Sequence, residues 1–349
     1  MGANRRIRNS ISGRRPLQRE IAAATNVSIS TVSRVLNRSG TVSADIRERV
    51  LTTAMELGYP SVTQGVENIT LFLALPANTV AEHYAALVST GVVAECRAHG
   101  IQLSQMNVEQ EPGATDFILD KIKHSPQDGF LFLSYDDRDL LDALCKFSNR
   151  AILINTDKEN IGLDTFLPAN TSGASIAVQY LMQQGHREIL YIGNSIRQTL
   201  KRRYDGYRTT LEKAGIAYNP DLVLMQKTRS KAPTMYEEIK SFLAGSHPSF
   251  TAVACFNDIA AISAIRALRE EGLRIPQDVS VVGFDDSELC MFVDPPLTTV
   301  RIEWAEIGKL AVRRLLERAK EPGLTPIRVE VQCRLIERQS VAPFTSIDT

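Results

Sequence analysis

From Ile69 to about residue 285 the sequence repeats one pattern: a short apolar run, then a longer stretch with apolar residues at helical spacing. The runs are ITLFLAL (69–75), GFLFLS (129–134), AILINT (151–156), EILYIG (188–193), AVACFN (252–257) and VSVVGFD (279–285). HYAALVSTGVVAECRAHG and IAAISAIRALREEG read as amphipathic helices between such runs. A strand without polar alternation is buried on both faces, and the crossover helices of a parallel sheet supply that cover. The pattern predicts an α/β fold of doubly wound sheets. Roughly 270 residues exceed one such sheet of ordinary width, so two lobes are expected.

The first 59 residues share neither this pattern nor its charge. They hold ten Lys/Arg against four Asp/Glu, whereas the remaining 290 hold 30 against 36. The formal net charge of zero hides a basic head and an acidic body, which points to a polyanion-binding module joined to something else. Within the head, LQREIAAA (17–24) reads as a short helix with Leu17, Ile21 and Ala24 on one face. Thr25-Asn26-Val27 follows as a tight turn, and Asn tolerates the left-handed backbone there. Ser28 is a natural N-cap for a second helix whose apolar side is Val32, Val35 and Leu36. Ser43 starts a third helix with Ile46, Val50, Ala54 and Leu57 in one stripe, ended by Gly58.

That spacing is a helix-turn-helix. A recognition helix lies in the major groove, so its outward residues must be short or able to read base edges. Ile29 and Ser30 start the helix where bases are met, Ile29 against a thymine methyl. Arg34 reaches guanine or phosphate a turn later, and Thr31, Ser33 and Asn37 suit phosphate contacts that fix register. REIAAATNVSISTVSRVLNRSGTVSADIRERVLTTAMELGY resembles the DNA-binding head of the LacI/GalR family of bacterial transcription regulators. By that resemblance Ile29 and Ser30 are the pair that varies with operator sequence, and Arg34 reads bases.

The resemblance continues through TSGASIAVQYLMQQGHREILYIGN, FNDIAAISAIRALREEGLRIPQDVSVVGFDD and PPLTTVRIEWAEIGKLAVRRLLE. It implies a two-lobed domain like the periplasmic sugar-binding proteins, with a ligand cleft between lobes. One lobe would be 68–168 plus helix 303–320, the other 169–300 plus 321–340. The expected organisation is a basic arm (1–15), the helix-turn-helix head (16–59), a short linker (60–68), the effector-binding and dimerisation domain (69–340) and a tail (341–349).

Ligands of open α/β sheets bind beyond the carboxyl ends of strands. Those ends present Asn155, Asn257-Asp258 and Asp285-Asp286, whose amides and carboxylates suit neighbouring sugar hydroxyls. In the resemblance, Asn257 and Asp285 match effector-contacting positions, and Trp304 falls where an aromatic lines the cleft. Three places depart from the family pattern. Lys201 stands for an arginine, with Arg203 matching a second one; Asn155-Thr156 replaces Asp-Arg; and Ala81-Glu82-His83-Tyr84 replaces N-P-F-F. Lys201 with Arg203 raises an effector carrying phosphate or carboxylate. His83 and Tyr84 are counted among the cleft residues.

These features make the chain a repressor-type DNA-binding regulator switched by a carbohydrate or an anionic derivative. The competing reading, a transporter's solute-binding protein, accounts only for the cleft and needs an export signal that the N-terminus does not show. G-x-x-x-x-G-K-[ST], G-x-S-x-G and H-E-x-x-H are missing, so no enzyme is expected. The five cysteines and five histidines are scattered, predicting reduced thiols and neither metal nor cofactor. No apolar run has membrane-spanning length, so a cytoplasmic homodimer on a pseudo-palindromic double-stranded operator is expected. Between Tyr59 and Ile69 the linker lacks Leu, Lys and Arg, and so lacks the family's hinge-helix residues. Only Val62 or Val66 could act as a small wedge.

Overall fold

Three helices open the chain: α1 (Gln18–Thr25), α2 (Ile29–Leu36) and α3 (Ala44–Glu56). They belong to a computed structural model that describes residues 17–36, 42–57, 59, 66–74, 79–108, 112–226 and 234–345, without the side chains of Met55 and residues 79–83. Asn26 adopts the left-handed conformation at φ 54° and its N–H caps α1 on the Ala22 carbonyl. Ser28 Oγ accepts the Thr31 N–H at 3.0 Å, the N-cap bond that starts α2. Ile21, Ala22, Val32, Val35, Leu36, Val50, Leu51 and Ala54 form the head's core, with Tyr59 packed against it.

Two expected faces are corrected. In α1 the buried residues are Ile21, Ala22 and Thr25, while Leu17 and Ala24 are exposed. A face through i, i+1 and i+4 points at both neighbouring helices, and Ala24 lies off it. Leu57 is exposed because α3 ends at Glu56, before the stripe completes its last turn. Gly58 and Asn37 lie outside the described residues.

The first lobe runs β1 (Asn68–Leu73), α4 (Thr79–Ala98), β2 (Gln102–Asn107), α5 (Ala114–Lys123), β3 (Gly129–Leu133), α6 (Arg138–Leu144), β4 (Ala151–Ile154) and β5 (Asp164–Pro168). The second runs α7 (Asn170–Gln183), β6 (Ile189–Asn194), α8 (Gln198–Lys213), β7 (Val223–Gln226), α9 (Met235–Ala244), β8 (Ala252–Cys255), α10 (Asp258–Glu270) and β9 (Ser280–Val282). The chain then adds β10 (Thr299–Arg301), α11 (Trp304–Lys320), β11 (Arg328–Val331) and β12 (Arg334–Ile336).

All strands of the six-stranded sheet, order β11-β5-β4-β3-β1-β2, are parallel. So are those of the four-stranded sheet, order β7-β6-β8-β9. Each order reverses once, between β1 and β3 and between β6 and β8, and such switch points open a crevice at the strands' carboxyl ends. The apolar runs became buried strands, all inner except β9, which ends the four-stranded sheet, whereas β2 (QLSQMN) is a half-exposed edge.

Helix α11 packs on α4 and on β3, β4 and β5, which places it with the first lobe. A Cβ on Gly91 would stand 1.8 Å from the Ala305 carbonyl oxygen, and one on Gly308 2.4 Å from that of Val88. Glycine at both crossings lets the two backbones touch. The expectation that 321–340 joins the second lobe is corrected in part. β11 pairs in parallel with β5, Val329 opposite Phe166, and extends the first-lobe sheet. Only β12 crosses back, to pair with β10. The chain thus passes between lobes at 168–170, 301–304 and 331–334.

Candidate nucleic-acid interface and ligand cleft

In the head, Val32, Val35 and Leu36 face inward while Ser30 and Arg34 face solvent and Ile29 is 53% exposed. An exposed isoleucine at a helix start has no packing purpose here and fits contact with an apolar base edge. Ser28 Oγ lies 2.8 Å from both the Ser30 and the Thr31 hydroxyl, so the outward hydroxyls are pre-ordered. Thr31 and Ser33 are half-buried at the rim of the helix. Asn37 is outside the described residues.

The cleft is built from the strand ends of both lobes. After β3, Ser134 takes a left-handed turn (φ 66°), and after β4 so does Asn155 (φ 55°). Asn155 Nδ2 donates to Ser134 Oγ at 3.1 Å, and the Tyr84 hydroxyl lies 3.0 Å from the same oxygen. Tyr84 also packs against Trp304, ring centroids 5.2 Å apart and tilted by 31°. Trp304 is buried, and its Nε1 has no hydrogen-bond partner among the described residues. Such an orphaned donor is unusual in a folded protein. The His83 side chain lies outside the described residues.

From the second lobe, Arg203 is 4% exposed. It donates to the Asn170 side chain at 2.9 Å, to the Phe256 carbonyl at 2.6 Å and to Asp285 Oδ1 at 3.1 Å. Asp285 sits at φ 110° just past β9. Asn257 caps α10, its Oδ1 accepting the Ala260 N–H at 2.8 Å. Asp258 is fully buried behind it, held by the Thr299 hydroxyl at 2.5 Å and the Ser287 N–H at 2.7 Å. Burial first, and the nearby Asp285 second, push its carboxyl above the usual range. Asp286 accepts from Arg301 and, at 2.7 Å, from Arg338. Of the strand-end residues, Asp258 and Asp286 brace the turns beneath, which leaves Asn155, Asn257 and Asp285 as the candidates for the cleft.

Lys201 is not brought together with Arg203. It lies exposed on α8, and two residues of helix turn a side chain by roughly 200°. The second cleft cation is Arg197, which precedes α8 and was not singled out from sequence. Its Nε donates to Asp136 Oδ2 at 2.7 Å and its Nη2 to the Asn155 carbonyl at 2.6 Å, both in the other lobe. The available signal was its position three residues past the end of EILYIGN, a strand end like those already chosen.

Residues 19–61 match the family model for bacterial regulatory proteins of the lacI family, and residues 178–341 match that for a periplasmic binding protein-like domain. The chain is 31% identical over 327 residues to the ribose operon repressor of Haemophilus influenzae, covering 93% of this chain and 98% of that protein. It is 30% identical over 333 residues to the HTH-type transcriptional repressor PurR of Pasteurella multocida, again covering 93% and 98%. Among solved structures, the transcriptional regulator CelR–cellobiose complex superposes with a TM-score of 0.71 at 27% identity, covering 93% of this chain and all of that one. The lac repressor dimer bound to operator and the anti-inducer ONPF gives a TM-score of 0.69 over 94% of this chain and all of that one. At 22% identity that match speaks for the fold.

Proposed function

We propose that this chain, which belongs to the LacI family of bacterial regulatory proteins, is a transcription repressor whose grip on its operator is set by a neutral sugar in the cleft. The repressor role and control by a small molecule follow from family membership; the effector class and the residues that hold it are our reading. The observation that carries it is one chain holding both an outward-facing recognition helix and a polar two-lobed crevice. A solute-binding role leaves the head without a purpose. No helix among the described residues is long and apolar enough to cross a membrane, and the proposal places the protein in the cytoplasm and assigns it no catalytic step.

Neighbouring hydroxyls of a sugar suit Asp285, Asn155 and the free amide end of Asn257, while the Tyr84–Trp304 pair offers an apolar wall for a ring face. Trp304 Nε1 would gain the acceptor that it lacks. An anionic effector is disfavoured because Arg203 is already neutralised by Asp285 and Lys201 lies on another face of α8. The ribose and cellobiose in the relatives' names agree with a carbohydrate.

The protein acts as a dimer, which matches two half-sites of a pseudo-palindrome. The exposed Leu289, Met291 and Phe292, on one short turn of the second lobe, are the apolar surface we assign to the second copy. Gel shifts on operator DNA test the reading, binding being lost when residues 1–60 are removed. A thermal-shift screen of sugars, sugar phosphates and sugar acids then reports the effector class, and stabilisation by anionic forms alone contradicts the neutral one.

A further inference from the structure

Three arginines lie at the start of α8, and they do different things. Arg203 turns into its own lobe, towards Asn170, Phe256 and Asp285. Arg197 and Arg202 leave it. Arg197 reaches Asp136 and the Asn155 carbonyl, and Arg202 Nε donates to Asp157 Oδ2 at 3.1 Å. All three acceptors belong to loops that follow β3 and β4 of the first lobe.

The two crossings are not equivalent. Asp157 also accepts from Arg328 of its own lobe at 2.8 Å, so it stays paired if the lobes part. Asp136 is held by Arg197, and the side chains of this pair are only 25% and 15% exposed. A charge-assisted bond withdrawn this far from water is stronger than an open surface pair. The left-handed turn at Asn155 adds a second acceptor to the same guanidinium. These bonds need no third molecule.

We infer that Arg197 is an interlobe latch: through Asp136 and the Asn155 carbonyl it holds the two lobes closed in the absence of effector. A ligand acts only through its differential affinity for two states, so the latch sets the balance on which the effector works. The inference rests on the reading of the cleft as the effector site, but its test needs neither effector nor operator, so each can fail alone.

The test is small-angle scattering of the full-length protein with no sugar and no DNA, comparing wild type, Arg197→Gln, Asp136→Asn and the double variant. Each single variant is expected to shift the radius of gyration upward by the same amount, and the double variant no further. Arg197→Lys, which keeps the charge but not the two-pronged contact, should fall between. Unchanged radii in both single variants, or additive shifts in the double, overturn the latch. Should Arg197→Gln not fold, Asp136→Asn alone decides, since it is nearly isosteric and its site is partly solvated.

Discussion

Arg203 and Asp285 form the most enclosed ion pair of the cleft: the guanidinium donates to Oδ1 at 3.1 Å while its carbon lies 3.9 Å from the Phe284 ring centroid. The arginine is thereby oriented by a ring, a carbonyl and a carboxylate at once, and it fixes that carboxylate at the end of a second-lobe strand. Asp285→Asn is expected to abolish the response to effector while operator binding persists. Breaking a buried pair also destabilises by about 3–5 kcal/mol, so a lower melting temperature should accompany the loss. Calorimetry that finds wild-type affinity for the effector in this variant would refute the assignment.

Arg34→Ala is expected to remove specific operator binding without unfolding the head. Arg34 points outward, and the inward side of α2 is supplied by Val32, Val35 and Leu36. A lost base contact costs on the order of 1–3 kcal/mol per half-site. Fluorescence anisotropy on a specific and a scrambled duplex separates the two terms. Equal operator affinity in variant and wild type would sink the role.

A dependence on pH is expected from His186, whose Nδ1 lies 2.9 Å from the Thr251 hydroxyl and whose Nε2 lies 3.0 Å from Ser280 Oγ and 3.1 Å from the Ala342 carbonyl. Burial holds its pKa below the ordinary histidine value. The unfolded chain therefore takes up a proton near pH 6.5 that the folded imidazole refuses. Stability from this group is full above that pH and falls as the pH drops below it, by about 1.4 kcal/mol per unit at most. Thermal melts of wild type and His186→Gln between pH 5 and 8 isolate the effect. A wild-type slope no steeper than the variant's over that range would count against it.

The apolar strands, α2 and its Ser28 cap were legible because their causes are local: a continuous apolar run, a capping hydroxyl, an asparagine in a left-handed turn. β2, β5, β7 and β10 to β12 were not named: QLSQMN, VLMQ and RVEV are half-exposed edges, and DTFLP, TVR and RLI carry no continuous apolar run although β5 lies inside the sheet. The strand-end turns at Asn155, Asn257 and Asp285 were legible as positions, because each directly follows an apolar run. Pairing Lys201 with Arg203 read position along a helix without its rotation, and Arg197 went unnoticed because its partners Asp136 and Asn155 are 61 and 42 residues away.

The final expectation concerns how the operator is bent. Tyr59 is tied to the head, its N–H on the Ala54 carbonyl at 2.8 Å. Val66 is buried in the core of the body, where its Cγ1 stands 3.1 Å from the place of a Cβ on Gly129. Of the two wedge candidates, Val66 is therefore already committed to packing, and pulling it out would leave a cavity beside Leu315. Val62 and the rest of 60–65 lie outside the described residues. The seven steps from Tyr59 to Val66 span at most roughly 25 Å when extended, and roughly 10 Å if coiled into helix. Pro60 and Gly65 bracket that stretch and disfavour helix further. Apolar side chains inserted between base steps are what kink a duplex at the minor groove, and this tether leaves valine as the one such residue within reach. Reading should thus rest on the major groove, with a nearly straight operator centre. Circular-permutation gel shifts are expected to show little dependence of mobility on site position; a sharp central bend, or loss of binding on Val62→Ala alone, would prove the tether works otherwise.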